Sequence, residues 1–64
     1  MNTYAVILAS ELKSYPPFDA GPWSIYRNGV AYIGIEFSEK TTLPDLTGWT
    51  VLTGKEEYDN WMNK

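Results

Sequence analysis

Carboxylate pairs are the side chains in this sequence whose type and spacing best suit catalysis. Glu36 with Glu39, and Glu56 with Asp59, are close enough along the chain for one member to act as a general acid and the other as a base. Such an acid needs a buried carboxyl group with a raised pKa in a cleft, and a chain of 64 residues leaves little room for a cleft. The sequence therefore predicts that the chain is not an enzyme.

Metal and cofactor chemistry also lacks the usual residues. The chain has no cysteine and no histidine, which removes thiolate nucleophiles, disulfides and the commonest metal ligands. Its oxygen ligands are scattered and do not follow the acidic spacing of a calcium loop. Its five glycines are dispersed and form no phosphate-binding loop. We therefore expect neither a metal ion nor another cofactor.

The charge of the chain is acidic and unevenly distributed. Eight acidic residues against five basic ones give a formal net charge of −3, all of which arises in residues 36–64. A protein that grips nucleic acid through its phosphates needs more cations than this. An aromatic sheet face beside Arg27 nevertheless resembles a surface on which bases stack. Binding to single-stranded nucleic acid therefore stays an alternative that the charge disfavours.

Membrane and secretion signals are missing from the sequence. The longest apolar run, residues 4–9, is much shorter than the roughly twenty residues that span a bilayer. The first three residues carry no positively charged side chain of the kind that begins a secretory signal. We therefore expect no membrane partner, and a cytoplasmic or particle-associated protein.

The first third of the chain predicts one strand and a long loop. Residues 3–9 are rich in β-branched and aromatic residues, which favour a strand with Tyr4, Val6 and Leu8 on one face. Residues 10–15 could form a single helical turn, which must end before Pro16. The loop then continues to residue 22, and its length leads us to expect that it packs Leu12, Tyr15 and Phe18 over part of the sheet.

A β-hairpin is the clearest local prediction. The dipeptide Asn28-Gly29 lies between two apolar segments and suits a two-residue type I′ turn, in which both residues have positive φ. Counting outward from that turn fixes the register and places Trp23 opposite Gly34. An indole in that position shields the bare backbone of a strand glycine.

The second half of the chain predicts a loop, a short strand and a helix. Residues 38–47 are polar and read as a surface connection, and residues 49–52 resume a strand. Thr53 and Glu56 have the spacing of a capping box that begins a helix of about ten residues. Its apolar stripe is formed by Tyr58, Trp61 and Met62. We therefore predict one domain over residues 1–64, of the α+β class, with an antiparallel sheet of three to four strands and a short C-terminal helix.

The predicted sheet is apolar on both faces, although only one helix is available to cover it. The register separates the hairpin side chains into one set (Tyr26, Ala31, Ile33, Ile35 and Phe37) and another (Trp23, Ile25, Val30 and Tyr32). One helix covers one face of such a sheet. The other face must be covered by the long loop, by a second copy of the chain or by a different macromolecule.

Three segments of the sequence together carry a resemblance to known proteins. The resemblance is carried by the opening residues 1–8, by the Gly21-Pro22-Trp23 corner, and by residues 48–53 with Glu56, Glu57, Tyr58 and Trp61. In these segments the chain is similar to small bacteriophage-encoded accessory proteins. The resemblance includes no catalytic motif. It implies a protein that works by contact, in the host cytoplasm or in the virion.

Together these features predict a non-enzymatic protein-binding module. We expect it to bind and modulate or inhibit a host or defence protein, with a minor structural subunit of a virion or other assembly as the alternative. Aromatic and apolar side chains would provide the contact and acidic residues would tune partner choice and association rate. The predicted contact residues are Trp23, Ile25, Tyr32 and Trp49, with Glu36, Glu39 and Asp45 as the acidic rim.

Overall fold

The computed structural model describes all 64 residues and contains one four-stranded antiparallel sheet and one C-terminal helix. The predicted α+β class is confirmed. None of the chain's helical segments combines the length and the hydropathy that a membrane-spanning helix needs. The elements are β1 (Thr3–Leu8), a 3₁₀ turn (Ala9–Glu11), β2 (Ala20–Arg27), β3 (Val30–Phe37), β4 (Thr50–Thr53) and α1 (Gly54–Met62). Within the sheet the strands occur in the order β2-β3-β1-β4.

The hairpin of β2 and β3 forms in the predicted register. Asn28 has a φ of 54° and Gly29 a φ of 76°, which are the two positive values that a type I′ turn needs. Trp23 lies opposite Gly34, and Ile25 opposite Tyr32. β2 begins at Ala20, earlier than predicted, because an irregularity between Ala20 and Trp23 lets the strand continue past the Gly21-Pro22 bond. The local turn signal was therefore sufficient to set the pairing.

The Trp23 indole covers Gly34 so closely that position 34 has no space for a side chain. A Cβ built on Gly34 would lie 2.7 Å from Cε2 of Trp23 and 2.9 Å from Cδ1 of Ile25. We expect Gly34→Ala to lower the free energy of unfolding by about 1–3 kcal/mol, because the rigid indole must move. Thermal unfolding followed by circular dichroism measures the loss. Ser24→Thr adds a methyl group at an exposed position and is the control; equal melting temperatures for both variants would contradict the close packing.

Two connections of the chain cross the sheet. β1 and β2 are both antiparallel to β3 and hence parallel to each other, so residues 9–19 must pass across β3. By the same argument residues 38–49 must pass across β1. Within that second connection, Leu46 and Trp49 pack on a core cluster of Ala5, Ile35 and Phe37. The prediction that residues 38–47 form only a surface connection is wrong, since Leu46 covers part of the sheet.

Helix α1 covers the opposite face of the sheet. Its predicted apolar stripe of Tyr58, Trp61 and Met62 packs against a second core cluster of Val6, Ile25 and Leu52, which confirms the stripe. The helix follows β4 without an intervening loop. Leu52, near the end of β4, points to this face, and α1 begins two residues later and packs on the same face.

The start of α1 differs from the prediction. Thr53 makes no side-chain capping hydrogen bond, so the capping box with Glu56 is wrong. Gly54 instead turns the chain with a φ of 83°, and its amide donates a hydrogen bond of 2.7 Å to the carbonyl of Asn2. A glycine takes this left-handed conformation at low cost. The sharp turn at Gly54 and the backbone of Asn2 therefore replace the side-chain cap.

Candidate functional site

Three of the predicted contact residues lie beneath helix α1. Ile25 is 4% exposed and belongs to the core. Trp23 is partly buried, and its indole Nε1 donates a hydrogen bond of 3.4 Å to the hydroxyl of Tyr58. Tyr32 packs edge-on against Trp61 with 5.0 Å between the ring centroids. The expectation that these three side chains form an open surface is therefore corrected, because the helix covers the face on which they lie.

The aromatic side chains under the helix form a continuous cluster. The rings of Tyr4 and Tyr58 lie 5.0 Å apart, and the guanidinium of Arg27 lies 4.5 Å from the ring centroid of Trp61. Burial and the nearby carboxylate of Glu36 raise the pKa of the Tyr4 hydroxyl. Aromatic pairs and cation–π contacts of this kind stabilise the fold beyond what the burial of apolar area alone contributes. Half of the ten aromatic residues of the chain, namely Tyr4, Trp23, Tyr32, Tyr58 and Trp61, thus belong to this cluster.

Two of the predicted acidic residues are engaged within the chain. The side-chain amide of Asn2 donates a hydrogen bond of 2.6 Å to Glu36, and the N-terminal ammonium group pairs with Glu39. That hydrogen bond from the ammonium group lowers the pKa of Glu39. Glu36 and Glu39 thus lie near the N-terminus, and neither lines the groove described next.

A groove lies on the sheet face opposite α1, between the two connections that cross the sheet. Residues 10–16 form one wall and residues 45–49 the other, with Ile7 of β1 also lining it. Its volume is about 790 Å³, which falls within the range of ligand-binding sites. Two predicted contact residues, Trp49 and Asp45, line this groove. The remaining lining residues that matter below are Glu11, Lys13, Tyr15 and Pro16.

The wall formed by residues 45–49 is held by a local turn. One carboxylate oxygen of Asp45 accepts hydrogen bonds from the Thr47 hydroxyl at 2.6 Å and from the Thr47 amide at 3.1 Å. These bonds from Thr47 lower the pKa of Asp45. Gly48 follows with a φ of 91°. The turn directs Trp49 onto the sheet while the second oxygen of Asp45 makes no hydrogen bond within the chain.

The opposite wall presents an aromatic side chain to solvent. Tyr15 is 48% exposed and contacts Phe18 with 6.1 Å between the ring centroids. The prediction that the apolar side chains of this loop pack over the sheet is wrong for Tyr15 and Phe18, because both are exposed. The sequence also did not identify Tyr15, Pro16 or Glu11 as site residues. This loop lies beside residues 45–49 because of the strand order in the sheet. No short sequence motif indicates that strand order.

The groove carries more negative than positive charge. Glu11 and Asp45 are acidic and Lys13 is basic. The two ion pairs of the chain lie elsewhere, between the N-terminus and Glu39 and between Lys55 and Asp59. The charges of the groove are therefore not neutralised by ion pairs within the chain.

Neither a metal site nor a similarity to known proteins indicates a function for this chain. No cluster of three or more acidic, histidine or cysteine side chains is placed to hold a metal ion. No protein-family model matches the chain, and neither a curated protein nor a solved structure does so. The geometry of the groove is thus the observation from which a function can be argued.

Proposed function

We propose that the chain is a non-enzymatic protein-binding module that takes a segment of its partner into the groove between residues 10–16 and 45–49. The observation that carries this proposal is the pair of aromatic walls, Tyr15 and Trp49, beside a strand whose Ile7 lines the same groove. Elsewhere the chain covers its own sheet, with α1 on one face and Leu46 on the other.

The expected strength of binding follows from the apolar area that a partner can bury. Tyr and Trp are the side chains most often found at the energetic centre of protein interfaces. Full burial of one such side chain contributes about 2 kcal/mol, and association itself opposes binding. Tyr15 and Trp49 together thus contribute about 4 kcal/mol, which alone corresponds to a dissociation constant of about 1 mM. Tighter binding requires further contacts between the partner segment and the rest of the groove.

The resemblance to bacteriophage accessory proteins supports the proposal that the partner is a host or defence protein whose activity is modulated or blocked. Acidic residues at the groove would then raise the association rate with a partner of opposite charge. A structural role in a virion or other assembly is favoured by a different feature. β2 is an edge strand, and its Tyr26 side chain is 74% exposed.

Substitution of Tyr15 tests the proposal. A library of random peptides is selected on the immobilised chain, and enriched peptides are titrated by fluorescence polarisation. We expect Tyr15→Ser to weaken binding at least tenfold, because it removes the exposed aromatic wall. Tyr26→Ser is the matched control and should change the affinity less than about twofold. Circular dichroism shows whether both variants keep the fold.

The same experiment separates the two candidate functions. Failure to enrich any peptide, or binding that survives Tyr15→Ser, would overturn the assignment of the groove. Loss of self-association by Tyr26→Ser, measured by sedimentation, would favour the structural role instead.

A further inference from the structure

We infer that the groove recognises a basic, proline-containing segment in the extended polyproline II conformation. This inference rests on the proposed function and specifies the chemistry of the partner segment. It is carried by the size of the groove, by the charge of its walls and by the aromatic side chains that line it.

The size of the groove favours an extended segment over a helix. A helix about 11 Å across with its side chains would fill 790 Å³ with roughly one and a half turns. So short a helix is not stable in water and would have to be ordered on binding. A polyproline II segment needs no internal hydrogen bonds and is already ordered in part before it binds.

The charge of the groove favours a basic segment. Glu11 and Asp45 outnumber Lys13, and the chain as a whole carries a net charge of −3. The hydrogen bonds from Thr47 hold the Asp45 carboxylate in one orientation and leave one of its oxygens for a guanidinium or ammonium group. A charge that is already oriented loses less entropy when it binds.

The walls favour proline as the apolar residue of the segment. Proline-rich segments dock in aromatic-lined grooves, where their rings pack against Tyr and Trp side chains. Here Tyr15 and Trp49 provide aromatic side chains from opposite walls. Pro16 and Pro17 stiffen the loop that carries Tyr15, so less conformational entropy is lost when the loop meets a rigid ligand.

Three synthetic peptides of about ten residues test the inference. The first contains prolines in alternation with small residues and two arginines; the second replaces the arginines by glutamates, and the third replaces the prolines by alanines. Each peptide is titrated into the isotopically labelled chain, and amide chemical shifts are recorded. We expect the first to shift residues 10–16 and 45–49, and the other two to bind at least tenfold more weakly.

Charge variants provide the matched control. Glu11→Gln with Asp45→Asn should weaken the arginine peptide about fivefold at low ionic strength, as expected for two exposed charge pairs. Glu56→Gln with Glu57→Gln removes the same charge from helix α1, on the other side of the sheet, and should leave the affinity within about twofold. Asn at position 45 can still accept the hydrogen bonds from Thr47.

The outcomes distinguish the inference from the proposed function. Preferential binding of the glutamate or alanine peptide at residues 10–16 and 45–49 would overturn the basic proline-containing ligand and leave the groove as a protein-binding site. If none of the three peptides shifts these residues, the inference is wrong. If the selected library peptides also fail to bind there, the proposed function is wrong as well.

Discussion

Phe37→Ala is expected to cause the largest loss of stability. Phe37 is 1% exposed and belongs to the core cluster on which Leu46 and Trp49 pack. Replacing a buried phenylalanine by alanine lowers the free energy of unfolding by about 3–5 kcal/mol, because apolar contacts are lost and a cavity remains. A domain of 64 residues has a total stability of about 3–10 kcal/mol. The loss should therefore amount to at least about a third of the total stability.

Thermal and urea unfolding measure this effect. For a domain of this size each kcal/mol corresponds to about 4–8 °C in melting temperature, so the expected decrease exceeds about 12 °C. Leu43→Ala also shortens a large apolar side chain, but Leu43 is exposed in the connection over the sheet and serves as the control. A decrease of only a few degrees for Phe37→Ala would contradict the packing of residues 38–49 on this cluster.

The stability of this cluster also matters for the proposed site. Trp49 contacts the Phe37 cluster and lines the groove with Asp45. Phe37→Leu should keep the chain folded, with a loss in the free energy of unfolding below about 1.5 kcal/mol. Comparing the peptide affinity of this variant with that of the unchanged chain measures how far the groove depends on the core beneath it. The core on this face therefore positions one wall of the site.

Local signals explain which parts of the fold could be predicted. The Asn28-Gly29 turn specifies positive φ at two neighbouring residues, and the pairs of the hairpin from Arg27 back to Trp23 follow by counting from it. The irregularity between Trp23 and Ala20 shifts the register beyond that point. The spacing of Tyr58, Trp61 and Met62 likewise fixes the apolar stripe of α1. Both signals act within a few residues, so the sequence alone contains them.

The parts that could not be predicted depend on long-range pairing. The sequence does not state that β1 lies between β3 and β4, yet this order sends residues 9–19 and 38–49 across the sheet. Gly54 explains the error at the start of the helix, because a glycine turn and the carbonyl of Asn2 replaced the Thr53 cap. Trp49 and Asp45 were identified by residue type, whereas Tyr15 became a site residue only through the two crossings.

Trp23→Ala is expected to destabilise the chain strongly, because Trp23 lies between the sheet and helix α1. Trp23 packs over Gly34, lies 6.4 Å from the ring centroid of Tyr4 and donates a hydrogen bond to Tyr58. Its replacement leaves a cavity between sheet and helix, and we expect the free energy of unfolding to fall by about 3 kcal/mol. Chemical denaturation followed by tryptophan fluorescence of the two remaining indoles measures the loss.

Tyr26→Ala is the matched control because it lies on the same strand but points to the opposite face, where it is 74% exposed. Tyr26→Ala should change the free energy of unfolding of the chain by less than about 0.5 kcal/mol. Because Trp23 packs against the core cluster beneath α1, any loss of peptide binding in Trp23→Ala should follow the fraction of unfolded chain. Trp23→Phe should restore stability and binding together. A folded Trp23→Ala variant that no longer binds would instead show that a partner contacts the helix-covered face, and it would move the site away from the groove of Tyr15 and Trp49.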